Sequence, residues 1–244
     1  MKTLNAKGKS VLIIGDTHLP YEKYCMYAWL KAIKKKYLNS KSIIMHIGDE
    51  IDGHCISMHA TDPNIPFSPS SELQECIDRL HMKDGLYDQF PKMYLCESNH
   101  GSLVYRRAKI SGLPASVIKP YAQVLQTKGW QWHEDYLLKT NKGPIYVCHG
   151  RSKNIAKVVA SNQSSVVQGH YHGLHSIEFY RGIHGDRFGA QTGCLVDSTS
   201  RAFDYGRLSL SKPIMGSVLI KEDGAPILLT MNLDKNNKWD GTLS

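Results

Sequence analysis

The sequence predicts an α/β chain whose first half builds a parallel sheet and whose second half is dominated by short strands. Three observations lead there. Apolar, β-branched runs alternate with helically spaced segments twice before Leu80, the β-α-β pattern of a parallel sheet. Beyond Leu125 the pattern changes to short strands punctuated by turn residues. The chain has 244 residues, 41% hydrophobic and 21% charged, which is enough length and an ordinary enough composition to bury a continuous core.

Taken in order, Ser10–Gly15 reads as the first strand. Tyr24–Tyr37 then places Met26, Leu30, Ile33 and Tyr37 at helical spacing, with Lys23, Lys31, Lys34 and Lys35 mostly on the other side. Lys31 and Lys34–Lys36 fit the solvated side of this helix better than a nucleic-acid contact. Ser42–Ile47 is the second strand, and Leu73, Cys76, Ile77 and Leu80 mark a helix opened by the capping pair Ser71 and Gln74. Between them Ser57–Ser71 carries Pro63, Pro66 and Pro69, which predicts an irregular loop lying over a functional site. Lys92–Glu97 is a third strand and Pro114–Leu125 is expected to be helical.

In the second half the turn residues Asn141-Lys142-Gly143-Pro144 precede a strand at Ile145–His149, followed by strands at Ser165–Gly169, Ser176–Tyr180 and Phe188–Thr192. Trp130 and Trp132 are expected in core or hairpin packing rather than stacked on a base. Glu222-Asp223-Gly224 separates Gly216–Lys221 from Pro226–Met231 as a final hairpin, and the polar end after Leu233 is expected to fray. No repeat, low-complexity tract or composition shift marks a boundary, so residues 1–244 are read as one domain.

Composition narrows the function classes. Apolar runs are strand-sized, too short to span a membrane, and the basic start Met1–Ser10 leads into too short an apolar run for a secretory signal; the expected location is the cytosol. Six cysteines lie far apart without a CxxC pair and are expected as buried thiols. A formal charge of +8 favours encounter with anions such as nucleotides or nucleic acid.

The placement of the histidines carries the argument. Where strands end the chain supplies metal-ligand types: Asp16 and His18, then Asp49, then Asn99 and His100, then His149, then His170 and His172. A parallel sheet brings such exits to one edge, where open α/β sheets bind their ligands. Alternation along an extended segment lets Asp16 with His18, and His170 with His172, face one pocket. Gly15, Gly48 and Gly169 stand just before these residues, where a bare backbone permits a sharp exit. Carboxylate, imidazole and amide oxygen without thiolate suit Mn²⁺, Fe²⁺ or Zn²⁺ rather than a structural zinc. Seven donors exceed one tetrahedral ion, whereas a pair roughly 3.5–4 Å apart with a bridging carboxylate uses them all.

At this point the chain resembles the calcineurin-like metallophosphoesterases, whose ordered pattern is DxH, GDxxD, GNH, an isolated His and GHxH. Here these read Gly15-Asp16-Thr17-His18, Gly48-Asp49-Glu50-Ile51-Asp52, Ser98-Asn99-His100, Cys148-His149-Gly150 and Gly169-His170-Tyr171-His172. The resemblance implies a four-layer αββα fold, a β-sandwich flanked by helices. It also implies that Asp16, His18 and His172 hold one ion, that Asn99, His149 and His170 hold the other, and that Asp49 bridges them. A hydroxide between two such ions (Mn²⁺ foremost; Fe, Zn, Co or Mg as alternatives) is the implied nucleophile. His100 is the implied proton donor to the leaving oxygen, with Asp52 as its orienting carboxylate.

Three positions depart from the family pattern: Ser98 replaces a glycine, Gly101 an acid, and Gly53 the arginine with which many relatives bind phosphate. Arg106 and Arg107 are candidates for that last role, or else a solvent-facing basic pair on a short helix. Asn99, His54 and His59 complete the substrate-side candidates, the two histidines being equally readable as polar loop residues. Glu97-Ser98-Asn99-His100-Gly101-Ser102 and the opening around Gly15–Glu22 look like bacteriophage-type members, among which deoxyribonucleoside 5′-monophosphatases occur. The resulting expectation is a phosphomonoesterase for nucleoside 5′-monophosphates, in the host cytoplasm if viral. The rivals are a nuclease or cyclic-nucleotide phosphodiesterase, and a nucleic-acid-binding protein with an inactive metal site. The oligomeric state is left open.

Overall fold

The structure is a computed structural model that describes residues 1–58, 64–183, 185–200 and 212–243. Along the chain run β1 (Lys2–Asn5), β2 (Val11–Ile14), α1 (Met26–Tyr37), β3 (Ile43–His46), α2 (Pro69–His81), α3 (Leu86–Gln89), β4 (Met93–Cys96), α4 (Leu103–Ile110), α5 (Tyr121–Val124) and β5 (Trp130–His133). They are followed by β6 (Asp135–Thr140), β7 (Gly143–Cys148), α6 (Ile155–Asn162), β8 (Ser165–Gln168), β9 (His175–Gly182), β10 (Gly185–Thr192), β11 (Gly216–Ile220) and β12 (Pro226–Thr230), with 3₁₀ turns at His54–Ile56 and Ala115–Val117.

The strands form two mixed sheets of six, ordered β12-β11-β2-β3-β4-β5 and β1-β6-β7-β8-β10-β9. In the first sheet β2 to β5 run parallel, so their carboxyl ends meet at one edge, as the β-α-β reading requires. In the second, β7, β8 and β10 are mutually parallel.

β2 explains why its sequence is apolar without alternation. Val11 and Ile13 belong to the core between the sheets, with Tyr136, Ile145 and Val167 of the second sheet. Leu12 and Ile14 face the opposite way, onto Trp29, Leu30 and Ile33 of α1 and Leu80 of α2. On the far side Ile155, Val158 and Val159 of α6 cover Tyr146, Cys148 and Val166. Helices, sheet, sheet and helix thus give the four layers expected.

Four local expectations need correcting. The helix after the Pro-rich segment starts earlier than Ser71: Ser68 is its cap, Pro69 its first residue, and Ser71 returns the Ser68 bond, while Gln74 instead reaches Asp78. Proline at the first helical position costs no hydrogen bond, so Pro69 belongs to the helix. Pro114–Leu125 is not one helix but a 3₁₀ turn and the four-residue α5, parted by Pro120. The end after Leu233 does not fray throughout: Trp239 and Leu243 pack on the core between the first sheet and helices α1 and α2, and Asp234 closes a turn by accepting from Asn236 N and Lys238 N.

The cysteines are free thiols, four buried and Cys25 and Cys55 partly so. Trp130 is buried in the core between the first sheet and helices α1 and α2, and Lys31 pairs with Asp84 on the surface. No helix among the described residues is long and apolar enough to cross a membrane.

Candidate metal centre

The strand exits converge. Asp16 and His18 follow β2, Asp49 follows β3, Asn99 follows β4, His149 follows β7, and His170 and His172 follow β8. Ligand atoms of Asp16, His18 and His172 lie within 4.8 Å of one another, as do those of Asp49, His149 and His170. Asp49 stands between the two groups: its Oδ2 is 3.1 Å from His149 Nε2 and 3.5 Å from His18 Nε2. Asn99 Oδ1 lies 2.8 Å from His149 Nε2. All seven sequence-predicted donors therefore meet in one place.

The backbone is bent to achieve this. His18, Asp49 and His170 all adopt positive φ, of 50°, 53° and 69°. Side chains rarely tolerate that region, and strain of this kind persists where surrounding contacts over-determine it. Here Thr17 and His18 amides donate to Asp49 O, the Leu19 amide donates to Glu50 O, and the His170 amide donates to Asp16 Oδ2 at 2.7 Å. Gly169 is needed for that approach, because a Cβ there would stand 2.7 Å from Asp16 Oδ1.

Hydrogen bonds assign the imidazole faces. His18 Nδ1 donates to Asp52 Oδ2 at 2.7 Å, which leaves Nε2 for the cluster. His149 Nδ1 likewise donates to Ile47 O, turning Nε2 toward Asp49 and Asn99. His18 Nε2 and His172 Nε2 approach to 3.2 Å beside the wholly buried Asp16, whose Oδ1 has no hydrogen-bond partner among the described residues. Buried carboxylates without partners and facing ring nitrogens are costly unless a cation joins them. The donor set thus fits divalent ions, with Asp16, His18 and His172 as one group and Asn99, His149 and His170 as the other.

The titration pattern has the same cause. Burial opposes a charge on His149, yet the Asp49 and Asp16 carboxylates hold its pKa up at about 9. Burial works against Asp49 ionising as well, but His149, His18 and His100 keep it well below the usual carboxylate range. The site attracts positive charge into a buried anionic cage.

His100 and Asp52 sit at its margin in an arrangement different from the expected one. The Asp52 carboxylate holds His18, while His100 Nδ1 donates to the Asp52 main-chain oxygen at 2.5 Å and lies 3.9 Å from Oδ2. Burial disfavours the imidazolium, but Asp49 and Asp52 outweigh it and raise the His100 pKa. His54 flanks Asp52, with Nδ1 3.9 Å from Oδ1. His59 lies outside the described residues.

Arg106 and Arg107 do sit on the short helix α4, but their guanidinium groups engage carbonyl oxygens: Arg106 that of Asn99, Arg107 those of Ile56 and Ser57. Through these bonds they brace the turns around the cluster.

Sequence reasoning missed two contributors. Ser98, noted only as a departure, accepts from the amides of Asp49 and Gly101 through its hydroxyl, both at 3.0 Å; a side chain at Gly101 would crowd that oxygen. His46 is fully buried at the end of β3. It accepts from Gly48 N at Nδ1, so its Nε2–H donates to Thr17 Oγ1, whose hydroxyl donates to Glu50 O. This relay ties the Asp16–His18 turn to the Asp49 turn. A histidine inside an otherwise apolar strand, just before Gly48-Asp49, was its only visible sign.

No family model and no curated protein matches the sequence. Solved structures similar in fold include a novel archaeal phosphodiesterase, at 11% identity over 91% of this chain and 99% of that one with a TM-score of 0.47. Others are Vps29 of Chaetomium thermophilum (11% identity, 96% and 95% coverage, TM-score 0.48) and a Saccharomyces cerevisiae protein serine/threonine phosphatase with similarity to human phosphatase PP5 (12%, 96% and 84%, 0.45).

Proposed function

We propose that the chain is a two-metal phosphoesterase of the calcineurin-like kind, acting as a phosphomonoesterase on nucleoside 5′-monophosphates. The observation that carries this reading is the pair of three-residue donor groups joined through Asp49, with His100 beside them. When bound, a pair of divalent ions, Mn²⁺ foremost, supplies an activated water at neutral pH and offsets charge on the phosphoryl oxygens. Around it the chain's own residues have distinct tasks. Asp52 and Ile47 O fix the ring orientation of His18 and His149. His100, anchored at Nδ1 and with its pKa raised by Asp49 and Asp52, gives a proton to the departing alkoxide from its other nitrogen. The net positive charge favours encounter with an anionic ester.

The test is a phosphate-release screen with a divalent-metal series over nucleoside 5′-monophosphates, sugar phosphates, bis-p-nitrophenyl phosphate and a DNA strand. Inorganic phosphate from dAMP or dTMP, with DNA left intact, is the expected result. Cleavage of the diesters without phosphate release would reverse the substrate assignment, and metal-independent DNA binding without hydrolysis would overturn the reaction class.

A further inference from the structure

We propose that the cavity beside Tyr21 is the seat of the substrate's nucleobase, the neutral aromatic end of the departing nucleoside, recognised apart from its phosphate. This inference rests on the phosphoesterase reading and assigns the organic half of the same substrate. The cavity holds about 420 Å³ and is lined by Tyr21, Asn64, Ile65, Pro66, Phe67 and Ser200. That volume falls in the range, roughly 300–1,000 Å³, of small-ligand sites.

Its position follows the path a leaving group must take. Tyr21 is tied to the donor cluster through its own amide, which donates to His18 O at 2.7 Å. Its ring meets His54 edge-on with centroids 6.1 Å apart, and His54 in turn lies against Asp52. Asp52 O is the anchor of His100, the group that protonates the leaving oxygen. These contacts connect the Tyr21 wall of the cavity, through His54 and Asp52, to the residue that anchors His100.

Its chemistry selects among the possible alcohols. Among the described residues, none of the lining side chains is charged. A polyol would leave its hydroxyls against Ile65, Pro66 and Phe67, which is costly. A planar base instead meets the rings of Tyr21 and Phe67, set 6.3 Å apart at 69°, which offer a face and an edge. The Tyr21 hydroxyl is buried and has no hydrogen-bond partner among the described residues. A phenol hydroxyl can donate to a ring nitrogen or carbonyl. Tyr21, Cys194 and Val196 with Ile65 and Phe67 form a small cluster separate from the two main cores. A purely structural role for that cluster, clamping the loop, makes a different prediction.

The experiment compares wild type, Phe67→Ala and Tyr21→Phe, each loaded with Mn²⁺ and checked by thermal melting, on dAMP and on methyl phosphate. The proposal expects the ratio of kcat/KM for dAMP to that for methyl phosphate to fall about tenfold in Phe67→Ala and less in Tyr21→Phe. Equal losses on both substrates would mark the cluster as structural and overturn the proposal. Calorimetry with deoxyadenosine, which carries no phosphate, separates this from the reaction itself: binding that weakens in Phe67→Ala supports the slot even if no ester is hydrolysed. Absence of deoxyadenosine binding to wild type overturns the slot even if phosphate is released.

Discussion

The two sheets contribute to the metal centre in different ways. Asp16, His18 and Asp49, on the first sheet, are at most 1% exposed, whereas His149 is 8% exposed and His172 and His170 increasingly reach solvent on the second. The first-sheet turns are cross-linked by Thr17 N and His18 N on Asp49 O, by Leu19 N on Glu50 O, and by the His46 relay. The second-sheet turns join them mainly through the His170 amide on Asp16 and the converging rings. The β2 and β3 turns therefore form a frame that fixes Asp49, whereas Asn99 after β4 and the second-sheet histidines His170 and His172 form a wetter wall. Burial concentrates electrostatic energy in the frame, so a change there is felt by both ions, while a change on the wall is local.

A pair of ligand variants separates frame from wall most clearly. Asp49→Asn is expected to abolish phosphate release and to weaken retention of both ions, while His170→Ala empties one position and leaves the other filled; metal analysis after gel filtration reads both. Similar metal loss in the two variants would erase the distinction between frame and wall. His100→Asn comes next, slowing turnover by about 10²–10⁴-fold with metal content intact.

His46→Leu tests the frame without touching a ligand. It strands the Gly48 amide and removes the donor to the Thr17 hydroxyl oxygen, and is expected to cost about 1–3 kcal/mol in denaturant unfolding. It also carries a pH signature. Burial lowers the His46 pKa from 6.5 to about 4, so the unfolded chain takes up its proton first as pH falls. Stability is complete above pH 6.5 and declines toward pH 4, by up to about 3 kcal/mol from this residue. That portion of the pH slope should be absent from His46→Leu when the two proteins are titrated in parallel. The smallest effect is expected from Arg107→Ala, which releases the exposed carbonyls of Ile56 and Ser57 for about 1 kcal/mol or less.

The sequence made the centre legible because its ligands are tied to strand exits and glycines, signals local to each motif. Asp16 with His18 and His170 with His172 could be paired from spacing alone. What links the motifs to one another was not local. The turn of Asp52's carboxylate to His18, and the seating of His100 on the Asp52 carbonyl, depend on how β2, β3 and β4 lie side by side.

The same holds for the fold. β2, β3 and β4 announced themselves as apolar runs, but β1 is a short, half-exposed strand whose partner β6 lies far along the chain. α4 begins without a side-chain cap or an acidic first turn, so no start signal marks it. The cap of α2 was misread by one candidate serine because Ser68 and Ser71 bond each other, and only the backbone decides which comes first.

The central claim is that donors from both sheets cage two neighbouring cations through Asp49. Its most direct measurement is the stoichiometry of Mn²⁺ binding to the metal-stripped chain, by titration calorimetry with Asp49→Asn alongside. Two ions per wild-type chain, with both sites weakened together in the variant, is the predicted result. A single site per chain, or binding indifferent to Asp49, would contradict it.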